Sequence, residues 1–305
     1  MQSEGTKINK IEVAIVMDVT GSMQQWIDAA RDTVIESFST LQSENSSALF
    51  RLACVCYRDF GDEVPFVIAP FTEDISSVQN TLKNTKASGG SDQAEDVAGA
   101  LEKVLELNWS DDTSKLILWV CDAPPHGNKY HSILIDDRYP KGDPKGREPS
   151  EQVKQLYLKG VDFTMFRICK SIDKMVEIFS SIYNQNDESV TFTLLDVTKQ
   201  AENSRYRSIR IDTYDTKSLI SGFIDLSTYD DSYDCYPYGS CDEENKEENI
   251  ADSGITSAPL RRVNPVRSES HSDELKSDIA KTFCSSTIES VRKTIEKSNK
   301  KVYEK

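Results

Sequence analysis

One stretch constrains this chain more than any other: Ile11 to Met23, IEVAIVMDVTGSM. Its mostly apolar run, rich in Ile and Val and bounded by the charge at Glu12, predicts a buried strand. The strand ends on Asp18, and an oxygen-bearing residue then recurs at every second position: Asp18, Thr20, Ser22. Gly21 lets the chain turn tightly. From Gln24 to Leu41 the apolar spacing becomes helical, with Trp26, Ala30, Val34, Phe38 and Leu41 three or four apart. A carboxylate and two hydroxyls are therefore presented at the carboxyl end of a parallel strand, the edge where open α/β sheets bind ligands. Small neutral oxygens with a few carboxylates suit a hard cation such as magnesium.

The rest of the chain builds outward from that unit. Leu49 to Tyr57 predicts a strand that breaks at the polar Arg58-Asp59-Phe60-Gly61-Asp62, and Val64 to Phe71 a shorter one whose Pro65 suits an edge. Asp74 to Lys83 predicts a short helix. Lys115 to Cys121, KLILWVC, is the most continuous apolar run and predicts a central strand buried on both faces, ending on Asp122. Helices over Glu151–Lys159 and Ser171–Tyr183 then alternate with strands over Val161–Cys169 and Val190–Leu195. Strand–helix alternation implies right-handed crossovers. The fold class is α/β: a doubly wound, mostly parallel, Rossmann-like sheet with helices on both faces.

Between these elements, Gly89-Gly90 opens a loop that carries Ser91, Asp92 and Glu95 into a helical run. Two readings compete there. In one, Asp92 caps the helix and Glu95, three residues on, completes a capping box. In the other, the loop brings an oxygen ligand to the cation. His126, four residues beyond Asp122, reads as a surface or hydrogen-bonding residue rather than a ligand.

Asp18-Val-Thr-Gly-Ser22 resembles the metal-ion-dependent adhesion site of von Willebrand factor A domains, whose motif is Asp-x-Ser/Thr-x-Ser. The segments YRDFGD, GGSDQAED, CDAPPHGNKYH and YPKGDPKG are similar to the A domain attached to α-kinases in amoebae and some other protists and fungi. That resemblance spans roughly Ile11 to Asp196. It implies that an acid at the position of Asp122 completes the metal shell. The related domains of integrin β polypeptides carry a similar Asp-x-Pro-Glu segment in which the Glu is a ligand; here Ala94 stands at the Pro position. Asp92, or Ser91 at the position of the Thr in simpler A domains, is the alternate to Glu95. The candidate ligands are thus Asp18, Thr20, Ser22, Asp92, Glu95 and Asp122, around Mg2+ with Mn2+ or Ca2+ as substitutes. The implied activity is non-enzymatic and adhesion-type: a cation that accepts a Glu or Asp side chain of a protein partner.

Composition narrows the alternatives. The chain has 305 residues and a formal net charge of -15, which disfavours nucleic acid and anionic membranes as partners. No apolar run is long enough to span a bilayer, and the N-terminal MQSEGTKINKIE lacks a secretory apolar core. The expected setting is intracellular and cytoplasmic. The odd count of 7 cysteines fits reduced thiols, with Cys54 and Cys56 on one face of a strand as core residues. Only 3 histidines are present, so a histidine-rich metal site is not expected.

Three regions follow. Residues 8–196 form the A domain. Residues 197–271 read as an acidic, low-complexity, disordered insertion or linker, with 8 Asp/Glu against 1 Lys between Asp230 and Glu248. Residues 272–298 hold an amphipathic helix, with Leu275, Ile279, Phe283, Ile288, Val291 and Ile295 at helical spacing, expected to close the fold over one sheet face.

An enzymatic alternative exists. Asp18-x-Thr-Gly also resembles the aspartyl-phosphate motif of P-type ATPases and haloacid-dehalogenase phosphatases, in which the Asp is the nucleophile. No Gly-Asp-x-x-Asn-Asp segment with its Lys accompanies it. A scaffold or regulatory relative of the A-domain α-kinases is the other alternative, because no P-loop, His-Arg-Asp loop or α-kinase zinc module is visible.

Overall fold

A computed structural model describes residues 10–183, 189–197 and 269–303, and the side chains of the last helix over 277–297. The acidic stretch 230–248, and nearly all of the insertion expected over 197–271, lie outside the described residues. The strands are β1 (Lys10–Asp18), β2 (Leu49–Tyr57), β3 (Phe66–Thr72), β4 (Ser114–Cys121), β5 (Val161–Arg167) and β6 (Phe192–Asp196). The helices are α1 (Gln24–Glu44), α2 (Ile75–Asn84), α3 (Val97–Glu106), α4 (Pro149–Leu158), α5 (Asp173–Tyr183) and α6 (Glu269–Tyr303).

The strands form one six-stranded sheet in the order β3-β2-β1-β4-β5-β6. Every pairing is parallel except β2 with β3, so the strand preceded by Pro65 is the antiparallel edge. β1 and β4 lie side by side at the centre, with Met17 opposite Val120. Alternation along these two strands explains why their sequences read as continuous apolar runs. Ile11, Val13, Ile15 and Met17 of β1 join Leu116, Leu118 and Val120 of β4 in one core, with α1 and α6. Ala14, Val16, Ile117, Trp119 and Cys121 enter the opposite core, with α3, α4 and α5. Both faces are covered, as a parallel sheet requires.

α1 buries Trp26, Ala30, Val34, Phe38 and Leu41, the stripe that its spacing predicts. α6 packs along α1 and contributes Ile279, Phe283, Val291 and Ile295 to the same core. Phe283 stacks on Phe166 at 5.4 Å, and Arg292 pairs with Glu44 of α1. On β5, next to the edge strand β6, Lys297 and Thr294 hold the buried Asp162. No described helix is long and apolar enough to cross a membrane.

One detail differs from the expectation. Glu12 does not bound β1; it lies inside it and is fully buried. Its carboxylate accepts from Ser110 N–H at 2.9 Å, Ser110 Oγ at 2.7 Å and Thr113 Oγ1 at 3.0 Å, and it also pairs with Arg51. Those bonds replace the water it loses, so a charge can occupy a strand interior. The described cysteines Cys54, Cys56, Cys121, Cys169 and Cys284 carry thiols rather than disulfides.

Candidate metal centre

Asp18 ends β1 and is fully buried. Its Oδ1 accepts from Thr20 N–H at 2.9 Å and from Thr20 Oγ1 at 2.7 Å, which folds the turn back over the strand end. The turn is also pinned sideways: Val19 N–H donates to Tyr57 O of β2 at 3.0 Å, and Ser88 N–H to Val19 O at 3.0 Å. Ser22 follows in the short 3-10 turn Gly21–Met23 and stands exposed, at the mouth of the site.

The glycine loop comes from across the sheet edge. Arg58, buried just after β2, donates to the carbonyls of Val64 (2.7 Å), Lys86 (2.9 Å) and Ser88 (3.0 Å), drawing residues 86–88 down onto the site. Gly90 adopts φ +78°, and a Cβ there would lie 2.8 Å from Glu95 Oε1 and 3.2 Å from Thr20 Cβ. Only glycine fits between those two side chains, and the same distances show that Thr20 and Glu95 flank one small gap. Glu95 is placed by its backbone, which donates to Pro124 O at 3.0 Å and bridges to Pro125. Asp122-Ala-Pro-Pro therefore supplies a rigid edge for Glu95.

The capping-box reading of this segment is overturned. Asp96 caps α3, accepting from Gly99 N–H at 2.6 Å and from Arg147 at 2.7 Å. Glu95 is thereby free of the helix and points into the gap.

Asp122 follows β4 directly beside Asp18, because the two strands are neighbours in register. Its carbonyl accepts from Ser171 Oγ at 2.5 Å and Cys169 Sγ at 2.9 Å, which fixes the backbone that carries it. Burial, and then the charge of Asp122, push the Asp18 carboxyl up to about 8. Burial and the charges of Asp18, Asp59 and Asp122 push Glu95 well above its ordinary range. Among the described residues, Asp18 Oδ2 and Glu95 Oε2 are buried carboxylate oxygens with no hydrogen-bond partner. Such groups are costly unless a cation or a donor meets them. The donor set of carboxylates and hydroxyls fits an oxygen-seeking divalent ion.

Asp92 belongs elsewhere. Its Oδ2 accepts from Arg138 N–H at 2.6 Å, and the buried Oδ1 has no partner. It faces Asp59 and His126; one ligand atom from each of the three lies within 4.8 Å of the others. Ser91, the other alternate, donates to Asp59 Oδ2 at 3.1 Å. The loop thus sends Glu95 toward Thr20, and Ser91 and Asp92 toward Asp59. Burial raises Asp92 to about 6 against the bond from Arg138, with the charge of Asp59 adding to the rise. His126 does make hydrogen bonds, but it is buried rather than at the surface, with Nε2 2.8 Å from Asp59 Oδ1 and Nδ1 2.7 Å from Asp137 Oδ1. Burial alone would lower its pKa; the bonds to Asp59 and Asp137 raise it.

Residues 12–137 match the family model of the von Willebrand factor A domain. That match places a von Willebrand factor A domain over residues 12–137 of the chain. The chain is 25% identical over 172 residues to alpha-protein kinase vwkA of Dictyostelium discoideum, a match that covers 55% of this chain and 27% of the kinase. The A-domain chain therefore spans about a quarter of that relative's length. Among solved structures it is similar to the pilus adhesin SpaC of Lactobacillus rhamnosus GG, at 13% identity and TM-score 0.46, covering 68% of this chain and 31% of that one. It is also similar to the VWA domain of SpRpn10, at 13% identity and TM-score 0.41, covering 62% and 88%.

Asp59, beside Asp92 and His126, is the buried acid that sequence reasoning left unassigned. A carboxylate two residues past the strand that pairs with β1 was the available signal, akin to the strand-end acids Asp18 and Asp122.

Proposed function

We propose that this A domain is a divalent-cation-dependent protein-binding module, not an enzyme. Asp18, Thr20, Ser22, Glu95 and Asp122 hold Mg2+ in this reading, directly or through water. The supporting observation is the pair of buried, unpartnered oxygens, Asp18 Oδ2 and Glu95 Oε2, on side chains that both lie close to Thr20. Thr20 and Ser22 add neutral oxygens, so the negative charge of the shell comes from Asp18, Glu95 and Asp122 alone. The ion, when bound, supplies an electrophilic position that takes a carboxylate oxygen of a partner's Glu or Asp. Ser22 stands exposed beside that position and Asp122 is half-buried, so the approach is from solvent along the carboxyl edge of the sheet. A chain of net charge -15 would otherwise repel an acidic partner, and a bound cation offsets the carboxylates gathered around it.

Binding to an array of Glu- and Asp-bearing peptides, with Mg2+ and with EDTA, tests this. Expected is capture that disappears with EDTA, with Ser22→Ala and when the peptide acid becomes an amide. Capture that survives both EDTA and Asp18→Ala would overturn it.

A further inference from the structure

A second group of ligand-bearing side chains lies behind the Asp18 turn and is not used by it. Asp59 follows β2, Asp92 comes from the glycine loop and His126 from the segment after β4. All three are buried, with relative exposures of 1%, 8% and 2%. We propose that Asp59, Asp92 and His126 bind a second divalent ion, of the borderline transition-metal class, with zinc as the occupant.

Three observations converge on it. First, one carboxylate oxygen from each Asp and one imidazole nitrogen gather within 4.8 Å of one another. Second, Asp92 Oδ1 is buried and has no hydrogen-bond partner, on a side chain that belongs to this cluster, while its other oxygen is held by Arg138 N–H. An imidazole shared between Asp59 and Asp137 explains the rest of the cluster but leaves that oxygen without a partner. Third, His126 is oriented as metal-bound histidines are. Asp137 holds Nδ1, and is itself fixed by the N–H groups of Gly127 (2.8 Å) and Tyr139 (2.7 Å). With the Nδ1 proton held by Asp137, Nε2 needs only to give up the proton it shares with Asp59 at 2.8 Å to turn its lone pair to an ion there, the carboxylate–histidine–metal arrangement.

The donor chemistry separates this site from the first. The Asp18 site offers oxygen alone. An imidazole nitrogen with two carboxylates selects a first-row ion over magnesium, and zinc binds such sets more tightly than manganese. The rings of Phe60 and Tyr139 lie 5.4 and 5.1 Å from the His126 ring and screen it from solvent. Such an ion would tie the segment after β2 to two of the segments that carry the first site, since Glu95 is three residues from Asp92 and Asp122 four from His126. Its ligands are separate from those at Asp18, so zinc binding does not require the Asp18 site to hold anything.

The test is zinc stoichiometry by elemental analysis on the full chain, stripped with EDTA and then exposed to micromolar zinc with excess Mg2+. Wild type and Asp18→Asn should each retain one zinc that Asp92→Asn and His126→Gln do not retain. Cobalt substitution should give visible absorption in wild type that both variants lose. Asp92→Asn keeps the side-chain shape and removes a like charge, so its far-UV circular dichroism and metal-free melting show that a lost ion is not a lost fold. Asp137→Asn, which leaves all three ligands in place, should weaken zinc by about 10–100-fold. Equal zinc in wild type and Asp92→Asn would overturn the proposal, as would absence of zinc from wild type; zinc held by the thiols would give the first of these results.

Discussion

Asp18→Asn should stabilise the metal-free domain at neutral pH while removing its response to magnesium. In the metal-free fold, burial and the charge of Asp122 lift the Asp18 carboxyl from its ordinary 3.8 to about 8. A folded value above the unfolded one means that the native state holds the proton more tightly. The contribution of Asp18 is therefore fully present below about 3.8 and is lost progressively as pH rises from there through about 8. By pH 7 about three pH units of that interval have passed, and at about 1.4 kcal/mol for each the loss is about 4 kcal/mol. Asn keeps the Oδ1 that accepts from Thr20 N–H and Oγ1. Its NH2 group, however, replaces the buried Oδ2 that has no partner, and an unsatisfied donor there costs about 1–3 kcal/mol. The net expectation is a gain of about 1–3 kcal/mol at pH 7 in EDTA, and a loss of similar size near pH 4, where the wild-type carboxyl is protonated anyway. Urea unfolding at both pH values in EDTA, and at pH 7 with Mg2+, reads all of this. Destabilisation of equal size at pH 4 and pH 7 would refute the reasoning, as would a magnesium-induced stabilisation as large in the variant as in wild type.

Glu95→Gln preserves shape and removes the second crowded carboxylate; magnesium affinity measured by calorimetry should fall at least about tenfold, about 1.4 kcal/mol, and an unchanged affinity would remove Glu95 from the shell. Gly90→Ala combines φ +78° with a Cβ 2.8 Å from Glu95 Oε1, so it should cost about 1–3 kcal/mol and weaken magnesium together with stability. A gain in melting temperature would show that the loop can move aside. Phe283→Ala empties a fully buried position stacked on Phe166 and should cost about 3–5 kcal/mol in one cooperative transition followed by tryptophan fluorescence. An unchanged midpoint would mean that α6 unfolds independently of the sheet.

Much of the fold could be read because its signals are local. The apolar runs of β1, β2 and β4 and the 3.6-residue period of α1 are clear, and apart from Glu12 the residues they bury are the ones these patterns select. Asp18 and Asp122 could both be placed at one sheet edge because each directly follows a strand of mostly apolar residues. The loop that carries Asp92 and Glu95 was less legible, since two acids three residues apart fit a capping box as well as a ligand pair. What separates them is non-local. Asp96 takes the capping role with Arg147, 51 residues away, and Pro124 fixes the backbone of Glu95. His126 misled for a related reason: its partners Asp59 and Asp137 are distant in sequence, and a loop histidine acquires burial only when Phe60 and Tyr139 close over it. Glu12 carried no local sign that Ser110, Thr113 and Arg51 would compensate a charge within a strand.

The central claim is that side-chain oxygens from β1, the glycine loop and β4 meet around one divalent ion. A crystal of the chain grown with Mn2+, with anomalous scattering recorded at the manganese edge, tests it most directly. The account predicts a peak at bonding distance from Thr20 and Ser22, with Asp18, Glu95 or Asp122 bound to the ion or one water removed. A well-ordered site with no peak among those residues, or manganese held only by Asp59, Asp92 and His126, would contradict it.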